Sequence, residues 1–386
     1  MTQNQMIPSR RKFLGLAATG MVWVGIPSHP LEGMTGTPGP HPFPSGPSES
    51  GANSQHFPVY VDSNENPYGP SEKAILAMKN SFSTAGRYAE NGRELHRALC
   101  NHHRVDPSMI DIGYGSSEVL KMAVEAFLGP GKNVIVGHPS YEAIPRYGQV
   151  YGVETIRVPL NPKYQHDLKR MRAAVNDKTG LVYICNPNNP TATVVSGQEV
   201  KEFLVSMPPN TPVLFDEAYY HYADDPSYAT SIPFAKDGKA VIVTRTFSKI
   251  YGMAGLRLGY AVGREDLISR MSAYKIWLNS NVLTVAAGLA SLEDKEFVAQ
   301  NQQLNSRVRE YVEQQVAGMG LKCIPSQANF TMIDLKRDAL PVLGALRSRN
   351  IFAGRLFPPL TTHMRVTIGT ADEMKRFVEE LKALLG

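Results

Sequence analysis

The sequence predicts an α/β fold, with a large domain built on a mostly parallel mixed sheet flanked by helices and a smaller α/β domain at the C-terminus. From residue 59 onward, short apolar runs alternate with amphipathic helical stretches, a pattern typical of a sheet covered by helices. The chain has 386 residues, of which 42% are hydrophobic and 19% are charged. This length and composition suit two domains with apolar cores.

The apolar runs predict the elements in chain order. In the large domain, residues 83–282, the predicted strands are 133–137, 155–158, 181–185, 213–215, 241–245 and 258–262. In the small domain, residues 283–386, a mainly helical stretch to residue 320 precedes strands at 329–335, 351–355 and 364–368 and a helix at 371–385. Residues 58–82 are predicted to form an arm that packs on the small domain.

Charge and cysteine usage exclude several classes of function. The formal net charge of +5 is spread along the chain, without a basic tract interleaved with aromatic residues, which disfavours nucleic-acid binding. The 3 cysteines are an odd number without a CxxC pair, so a disulfide framework is not expected. Spacing typical of metal ligands is also lacking, and no metal site is predicted.

The N-terminus is predicted to lie outside the fold. Arg10 and Arg11 precede a mildly apolar stretch, residues 15–26, that is too short for a membrane span. Residues 1–26 resemble a bacterial twin-arginine (Tat) signal, which implies export to the periplasm; the alternative is an incidental basic N-terminus on a cytoplasmic protein. Residues 27–57 are rich in Pro, Gly and Ser and are predicted to be a disordered linker.

Lys249 is the most informative single residue. It follows Ser248 in a glycine-rich turn, and Arg257 comes eight positions later. An amine in this setting can condense with an aldehyde, while the serine and the arginine hold a phosphate. A solvated surface lysine is the more ordinary explanation of an isolated Ser-Lys pair, so the interpretation depends on the neighbouring motifs.

Polar residues that follow other predicted strands point to the same chemistry. Asp216 ends the strand at 213–215, where it could pair with a protonated ring nitrogen, although a helix N-cap is an equal alternative. Tyr219 could bond a ring oxygen or simply pack in the core. Asn189 lies in an Asn/Pro cluster that could also be an ordinary turn.

Two further signals concern a phosphate and a planar ring. Gly115, Ser116 and Ser117 precede a predicted helix at residues 119–128, and a helix N-terminus offers N–H groups to a phosphate. Tyr141 follows the strand at 133–137 and could stack on a planar cofactor. Each signal is modest alone, but all of them follow strand-like runs in a consistent order.

Together these motifs resemble the fold-type I pyridoxal phosphate-dependent aminotransferases, in particular those similar to histidinol-phosphate aminotransferase. The resemblance extends from residue 59 to the C-terminus and includes the run 63–70 and the pair Arg87-Tyr88. It implies an aspartate-aminotransferase-like fold and pyridoxal 5'-phosphate as cofactor. It also implies ping-pong transfer from an amino donor to a 2-oxo acid, in a homodimer with shared active sites.

The resemblance implies a role for each site residue. Lys249 would form a Schiff base with the cofactor and then move the Cα proton, Asp216 would pair with the pyridine nitrogen, and Tyr141 would stack on the ring. Asn189 and Tyr219 would bond the ring oxygen. The phosphate would be surrounded by Gly115, Ser116, Ser117, Thr246, Ser248, Arg257 and Tyr88 of the neighbouring subunit. The substrate would be bound by Arg365, at its α-carboxylate, and by Arg355, Tyr68 and Asn66.

Two departures from the family pattern leave alternatives open. Ala192 stands where the family usually has glycine, and a positive φ there would cost about 1 kcal/mol or more. Arg355 resembles the position that reads a distal phosphate, yet Phe357 and two prolines follow it, so it could instead meet a substrate carboxylate or a structural one. A lyase, decarboxylase or cyclase of the same fold therefore stays open, as does a non-catalytic cofactor-binding module.

Overall fold

The computed structural model describes residues 57–89, 92–278 and 280–386. The predicted export signal and all but the last residue of the predicted linker lie outside these ranges. The strands are β1 (Val59–Val61), β2 (Ile110–Tyr114), β3 (Asn133–His138), β4 (Glu154–Pro159), β5 (Thr179–Cys185), β6 (Val213–Asp216), β7 (Val241–Thr246), β8 (Leu258–Gly263), β9 (Lys322–Ile324), β10 (Phe330–Asp334), β11 (Ile351–Ala353) and β12 (His363–Thr367).

The α-helices are numbered separately, also in chain order. They are α1 (Glu72–Ser81), α2 (Gly92–His103), α3 (Gly115–Phe127), α4 (Ala143–Val150), α5 (Leu168–Ala173), α6 (Gly197–Ser206), α7 (Ile232–Lys236), α8 (Glu265–Ser272), α9 (Val282–Glu293), α10 (Lys295–Gly318), α11 (Ala339–Ser348) and α12 (Ala371–Leu385). Within the described ranges, none of these helices is long and apolar enough to cross a membrane.

The large lobe is built on a seven-stranded mixed sheet in the order β2-β8-β7-β6-β5-β3-β4. Strands β7, β6, β5, β3 and β4 run parallel, and β8 is antiparallel to both of its neighbours, β2 and β7. Each strand predicted for the large domain is found, within two residues of its predicted ends. β2 was not predicted.

The central strands are apolar on both faces, as a sheet covered by helices on both sides requires. Successive residues of a strand point to opposite faces. Accordingly Val182 and Ile184 of β5 pack in one core cluster with Phe215 of β6, whereas Leu181 and Tyr183 pack in the cluster on the opposite face. Both faces are therefore closed, and the strand ends are the open edge of the sheet.

The small lobe combines an antiparallel sheet in the order β12-β10-β9 with a parallel pair, β1 and β11. In that pair Val59 of the N-terminal arm is opposite Ile351, so the arm and the C-terminal part of the chain share a sheet. The lobe has its own core, which includes Val312, Ile333 and Phe377. Helix α12 has the predicted bounds, 371–385.

Two segments belong with the large lobe rather than with the small one, which corrects the predicted division of the chain. Val285 and Ala287 of α9 are buried in the large-lobe core, and Ala74 of α1 is buried in the same cluster. Helix α9 is apolar almost all round, so it needs cover on several sides, and α1 packs along it. Of the predicted arm, β1 joins the small lobe but α1 does not.

Candidate active site

The candidate site lies where parallel strands end at the same edge of the large sheet. β6 ends at Asp216, and the chain reaches Lys249 three residues after Thr246, the end of β7. Tyr141 follows β3, and Asn189 follows β5. Because the carboxyl ends of parallel strands share one edge, segments that are distant in the sequence present these side chains to one region.

Lys249 faces the backbone of the N-terminal arm. Its Nζ donates hydrogen bonds to the carbonyl oxygens of Ser63, at 3.1 Å, and Asn64, at 2.9 Å. Burial, together with the charge of Arg365, lowers the pKa of Lys249 to about 8. An amine with a pKa near neutrality is available in its neutral form to attack an aldehyde or to accept a proton.

Asp216 is a buried carboxylate, only 2% exposed. The Tyr183 hydroxyl donates to its Oδ2 at 2.9 Å, and the Ala218 N–H donates to its Oδ1 at 3.2 Å. Neither contact supplies a positive charge, and burial raises the pKa of Asp216 to about 6. A protonated ring nitrogen would supply that charge, so this residue fits the pyridine end of pyridoxal phosphate.

Tyr219 and Asn189 meet next to the lysine, as the ring-oxygen role requires. The Tyr219 hydroxyl accepts from Nδ2 of Asn64 at 3.0 Å and lies 3.4 Å from Nδ2 of Asn189. Its ring packs edge-on against Phe330 at 5.0 Å between centroids, and the ring centroid is 5.8 Å from Nζ of Lys249. Burial raises the pKa of Tyr219, so its phenol stays protonated.

Arg257 donates hydrogen bonds to two of the hydroxyl groups predicted to hold a phosphate. Its Nη1 donates to Oγ of Ser248 and its Nη2 to Oγ of Ser117, both at 3.3 Å, and Thr246 donates to Ser248 at 2.9 Å. Among the described residues Arg257 has no carboxylate partner within ion-pair distance. A cation without a counter-ion among hydroxyl groups fits a phosphate dianion.

The N-terminus of α3 lies beside these groups. Together they form what we call the phosphate cup, which consists of the first turn of α3 with Ser117, Thr246, Ser248 and Arg257. Helix α3 begins at Gly115, where φ is +71°, and a Cβ at this position would lie 2.2 Å from Nη2 of Arg257. Glycine alone therefore lets the guanidinium reach the first turn. The N-cap, Tyr114, provides no side-chain cap, which leaves the N–H groups of the turn that contains Ser116 available to an anion.

Tyr141 lies half-exposed at the edge, 40% accessible. The residue before it, Ser140, donates to Oδ1 of Asn188 at 2.8 Å, which ties the turn that carries Tyr141 to the turn that carries Asn189. Burial of the phenol raises the pKa of Tyr141 to about 12. A neutral ring with an open face fits the stacking role.

Arg365 projects from β12 of the small lobe into the site. Its Nη1 donates to Oδ1 of Asn189 at 2.9 Å, and its Nη2 donates to the carbonyl oxygen of Asp62. Its Nε is buried and has no hydrogen-bond partner among the described residues. Burial lowers the pKa of Arg365 to about 10, and a bound carboxylate would satisfy both the charge and the free Nε.

Arg355 lies at the outer side of the site and pairs with the large lobe. Its Nη2 is 2.7 Å from Oε2 of Glu142, which also accepts from Arg146 at 3.0 Å. The Arg355 guanidinium lies 4.3 Å from the centroid of the Phe357 ring, and the Arg365 guanidinium lies 4.8 Å from the same centroid. Of the partners left open by the sequence, the structure shows a structural carboxylate.

Three predicted residues lie elsewhere or are already occupied. Tyr88 is 77% exposed. Asn66 donates to the Ile250 carbonyl oxygen and to Asn301, and accepts from the N–H of Tyr68, so its amide secures the arm and has little left for a substrate. Tyr68, 42% exposed, lines a small cavity on the same side as Asn66.

The arm itself contributes contacts that the sequence did not reveal. Asn64 lies against Lys249 and Tyr219, and Thr367 of β12 bonds both the backbone N–H and the side chain of Asn64. Asn329 donates to the Asn64 carbonyl oxygen at 3.0 Å. The run 63–70 carried part of the family resemblance, but that signal did not assign a role to Asn64.

The glycine-to-alanine departure falls at a strained position. Ala192 has φ of +61° and is fully buried. Its N–H donates to the carbonyl oxygen of Asn188 at 2.8 Å, which closes the turn that presents Asn189. The backbone thus keeps the conformation that a glycine would favour, with an alanine in it.

Similarity to known proteins shows the family of this chain. The family model "Aminotransferase class I and II" matches residues 59–381. The chain belongs to this family. It is 37% identical over 331 residues, 85% of each chain, to histidinol-phosphate aminotransferase from Moorella thermoacetica, and 35% identical over 85% of this chain and 89% of the relative to histidinol-phosphate aminotransferase 2 from Pseudomonas aeruginosa.

Solved structures of family members show the same fold. The crystal structure of histidinol-phosphate aminotransferase from Sinorhizobium meliloti, in complex with pyridoxal-5'-phosphate, has a TM-score of 0.78 at 27% identity and covers 85% of this chain and 89% of that one. Aspartate aminotransferase from Thermus thermophilus has a TM-score of 0.76 at 21% identity, covering 85% and 92%. The aspartate-aminotransferase-like fold is confirmed.

Family membership also confirms the predicted activity and cofactor. The chain is a pyridoxal phosphate-dependent aminotransferase, which takes an amino donor and a 2-oxo acid. The buried carboxylate Asp216, the amine of Lys249 and the cation Arg257 offer partners for the ring nitrogen, the aldehyde and the phosphate of that cofactor, respectively. The residues present therefore fit pyridoxal phosphate.

Proposed function

We propose that Lys249 carries the proton at the Cα atom of the amino donor while Arg365 holds the donor's carboxylate. Pyridoxal phosphate, when bound, withdraws electrons from the bond to that hydrogen. The observation that carries the proposal is the pairing of a lysine whose pKa is about 8 with a buried arginine whose Nε has no partner among the described residues. One supplies a base, and the other an anchor that fixes the Cα atom beside it.

The same residues divide the remaining tasks. Asp216 stabilises positive charge at the ring nitrogen, and Arg257 with the cup at the start of α3 holds the phosphate. Asn189 bonds both the Arg365 guanidinium, at 2.9 Å, and, weakly, the Tyr219 hydroxyl, at 3.4 Å. It thereby sets the distance between the carboxylate anchor and the ring-oxygen donor. Such fixed spacing supplies much of the rate enhancement in reactions of bound partners.

Lys249→Ala tests this assignment. Transamination should be lost and the visible absorbance of the Schiff base with pyridoxal phosphate should be absent, because the amine that would form this Schiff base has been removed. The phosphate cup is intact in this variant, so added cofactor should still bind, measurably by dialysis. Lys239→Ala, at an exposed lysine, is the matched control and should keep wild-type turnover. Turnover at the wild-type rate by Lys249→Ala would overturn the proposal.

For the donor's side chain, we infer that Arg355 reads a distal anionic group. The guanidinium stands at the mouth of the site, where its present partner, Glu142, is 44% exposed at the side chain, so a phosphate or carboxylate can compete for it. The curated relatives are named for histidinol phosphate, which carries such a group.

We further propose a homodimer in which the two subunits complete each other's sites. Tyr88 is 77% exposed, Trp277 is 88% exposed and Ile276 is 63% exposed. Large apolar side chains exposed to this degree are typical of an interface. Sedimentation at micromolar concentration should give twice the chain mass, and Trp277→Asp should shift the protein towards monomer.

Residues 1–26 support a proposal about location: that a Tat export system carries the chain to the periplasm. Arg10 and Arg11 form the paired arginine that such a signal requires. The test is a fusion of residues 1–57 to a reporter that works only after export. Replacing both arginines by lysine should abolish the reporter signal; an unchanged signal would contradict the proposal.

A further inference from the structure

Asn64 links the two lobes at the centre of the site. It is 1% exposed and has φ of +54°, a conformation that asparagine tolerates better than most residues. Its side chain reaches Tyr219 of the large lobe at 3.0 Å and Thr367 of the small lobe at 3.1 Å. A residue in a less favoured backbone conformation with both lobes as partners invites a functional explanation.

The hydrogen bonds fix which way the Asn64 amide faces. The backbone N–H of Asn64 donates to Oγ1 of Thr367 at 2.9 Å, so the Thr367 hydroxyl accepts at this contact and its own proton is free to be donated. That proton goes to Oδ1 of Asn64 at 3.1 Å. With Oδ1 facing Thr367, Nδ2 must face Tyr219, where it donates.

The Tyr219 hydroxyl is therefore surrounded by donors. Asn189 also turns its Nδ2 towards Tyr219, at 3.4 Å, because its Oδ1 accepts from Arg365 at 2.9 Å. Both amides point N–H groups at the phenol oxygen, and the hydroxyl proton of Tyr219 has no acceptor among the described residues. A buried donor without an acceptor is costly unless a ligand supplies one.

We propose that Asn64 is a positioning residue that, oriented by Thr367, holds Tyr219 as a hydrogen-bond donor to the phenolic oxygen of the cofactor. The proposal rests on the role inferred for Tyr219 above. A donor at that oxygen stabilises its negative charge most when the neighbouring Schiff-base nitrogen has lost its proton. The relay from Thr367 through Asn64 to Tyr219 should therefore lower the pKa of the Schiff base formed by Lys249.

Asn64→Asp tests the direction of this relay. Aspartate keeps the shape and tolerates the same backbone, but its carboxylate accepts from Tyr219 and draws the hydroxyl proton away from the cofactor. The pKa of the Schiff base, read from the visible absorbance of the holoenzyme against pH, should rise by about half a unit or more. Tyr219→Phe should raise it comparably.

Two further variants separate the relay from general effects. A new carboxylate raises the pKa by its charge alone, so Asn64→Asp is repeated in the Tyr219→Phe background, where its shift should be at most about half as large. Ser71→Ala removes a different hydrogen bond, from the backbone N–H of Ala74 to Oγ of Ser71 at the start of α1, without touching Tyr219, Lys249 or Asn64. It should leave the pKa unchanged.

Several results would overturn the proposal. An unshifted pKa in Asn64→Asp, an equal shift in both backgrounds, or an equal shift in Ser71→Ala would each do so. If Asn64→Asp fails to bind cofactor, Thr367→Val, which removes the orienting hydroxyl, should still raise the pKa; no shift there would contradict the relay. A wild-type protein without any visible Schiff-base absorbance would instead overturn the proposed role of Lys249.

Discussion

At the scale of single residues, burial and charge explain why the site can bind its cofactor. Asp216 and Lys249 both lie in surroundings that disfavour their charged forms, with pKa values of about 6 and about 8. Each displacement is towards the neutral form, and each is relieved by a partner that the cofactor brings. Stability in the cofactor-free protein is thus given up at residues that bind the ligand.

Asp216→Asn tests this cost in the cofactor-free protein. The folded-state pKa of about 6 lies above the ordinary value, so wild-type stability is lost as pH rises through it, whereas asparagine does not titrate. The difference in free energy of unfolding between the variant and the wild type should change in the variant's favour by about 1 kcal/mol between about pH 5 and about pH 7.5. The whole pH-dependent part of this difference should not exceed about 3 kcal/mol. Urea titrations measure it.

The control for that prediction is Asp237→Asn, at an exposed aspartate, which should show no pH-dependent difference from wild type. A pH-independent difference for Asp216→Asn would contradict the argument.

In the holoenzyme the same substitution should impair function, because the ring nitrogen loses its counter-charge. We expect turnover to fall by about a hundredfold or more, several kcal/mol of transition-state stabilisation.

Candidate site residues that directly follow a predicted strand could be proposed from the sequence, whereas residues brought to the site by distant parts of the fold could not. Lys249, Asp216 and Asn189 each follow a buried strand, and parallel topology brings such positions together. Asn64 gains its role from Thr367, which is 303 positions away. No local pattern encodes that pairing. In the same way, the hydrogen bonds of the Asn66 amide to Ile250 and Asn301 could not be foreseen from the residues around Asn66.

At the scale of elements, buried parallel strands were predictable because both of their faces are apolar. The strands that were missed are β1 and β9, of three residues each, and β2. Val59 of β1 pairs with Ile351, so the partner that makes this segment a strand is remote in sequence. Strand β2 leads directly into the first turn of α3. Its glycine at position 113 made this run resemble the start of a turn, so no strand was predicted here.

The turn between β5 and α6 allows a prediction about Ala192. A left-handed alanine costs about 1–2 kcal/mol, but its buried methyl group contributes about 0.8 kcal/mol, and glycine would gain freedom in the unfolded chain worth about 0.4–1 kcal/mol. These effects nearly cancel. Ala192→Gly should therefore change the free energy of unfolding by less than about 1 kcal/mol.

Ala192→Val is the informative contrast, because a β-branched residue at positive φ is a genuine outlier. It should lose about 2 kcal/mol or more in urea unfolding and weaken cofactor binding through displacement of Asn189. Wild-type stability in the valine variant would show that the turn does not require φ of +61° at this position.

At the scale of the whole molecule, side chains of the two lobes meet at the site. Arg355 of the small lobe and Glu142 of the large lobe form such a contact at 2.7 Å, with side chains 39% and 44% exposed. Exposed ion pairs contribute about 0–1 kcal/mol. The pair is therefore weak enough for a substrate anion to replace it.

Glu142→Gln should accordingly leave the melting temperature nearly unchanged and lower KM for donors with a distal phosphate or carboxylate, by up to about fivefold. Donors with neutral side chains should be unaffected. Arg146→Gln, which removes the other partner of Glu142 but keeps the contact to Arg355, is the matched control. An equal change in KM for both classes of donor would contradict a role of Arg355 in reading the distal group.

The most direct test of the account is the absorbance spectrum of the purified protein before and after single amino donors are added. The panel holds glutamate, aromatic amino acids, arginine and histidinol phosphate. We predict that the visible band of the Schiff base of Lys249 disappears with one or more donors, that the band of the aminated cofactor grows, and that the keto product is released. A Schiff-base band that persists with every donor would contradict aminotransfer through Lys249.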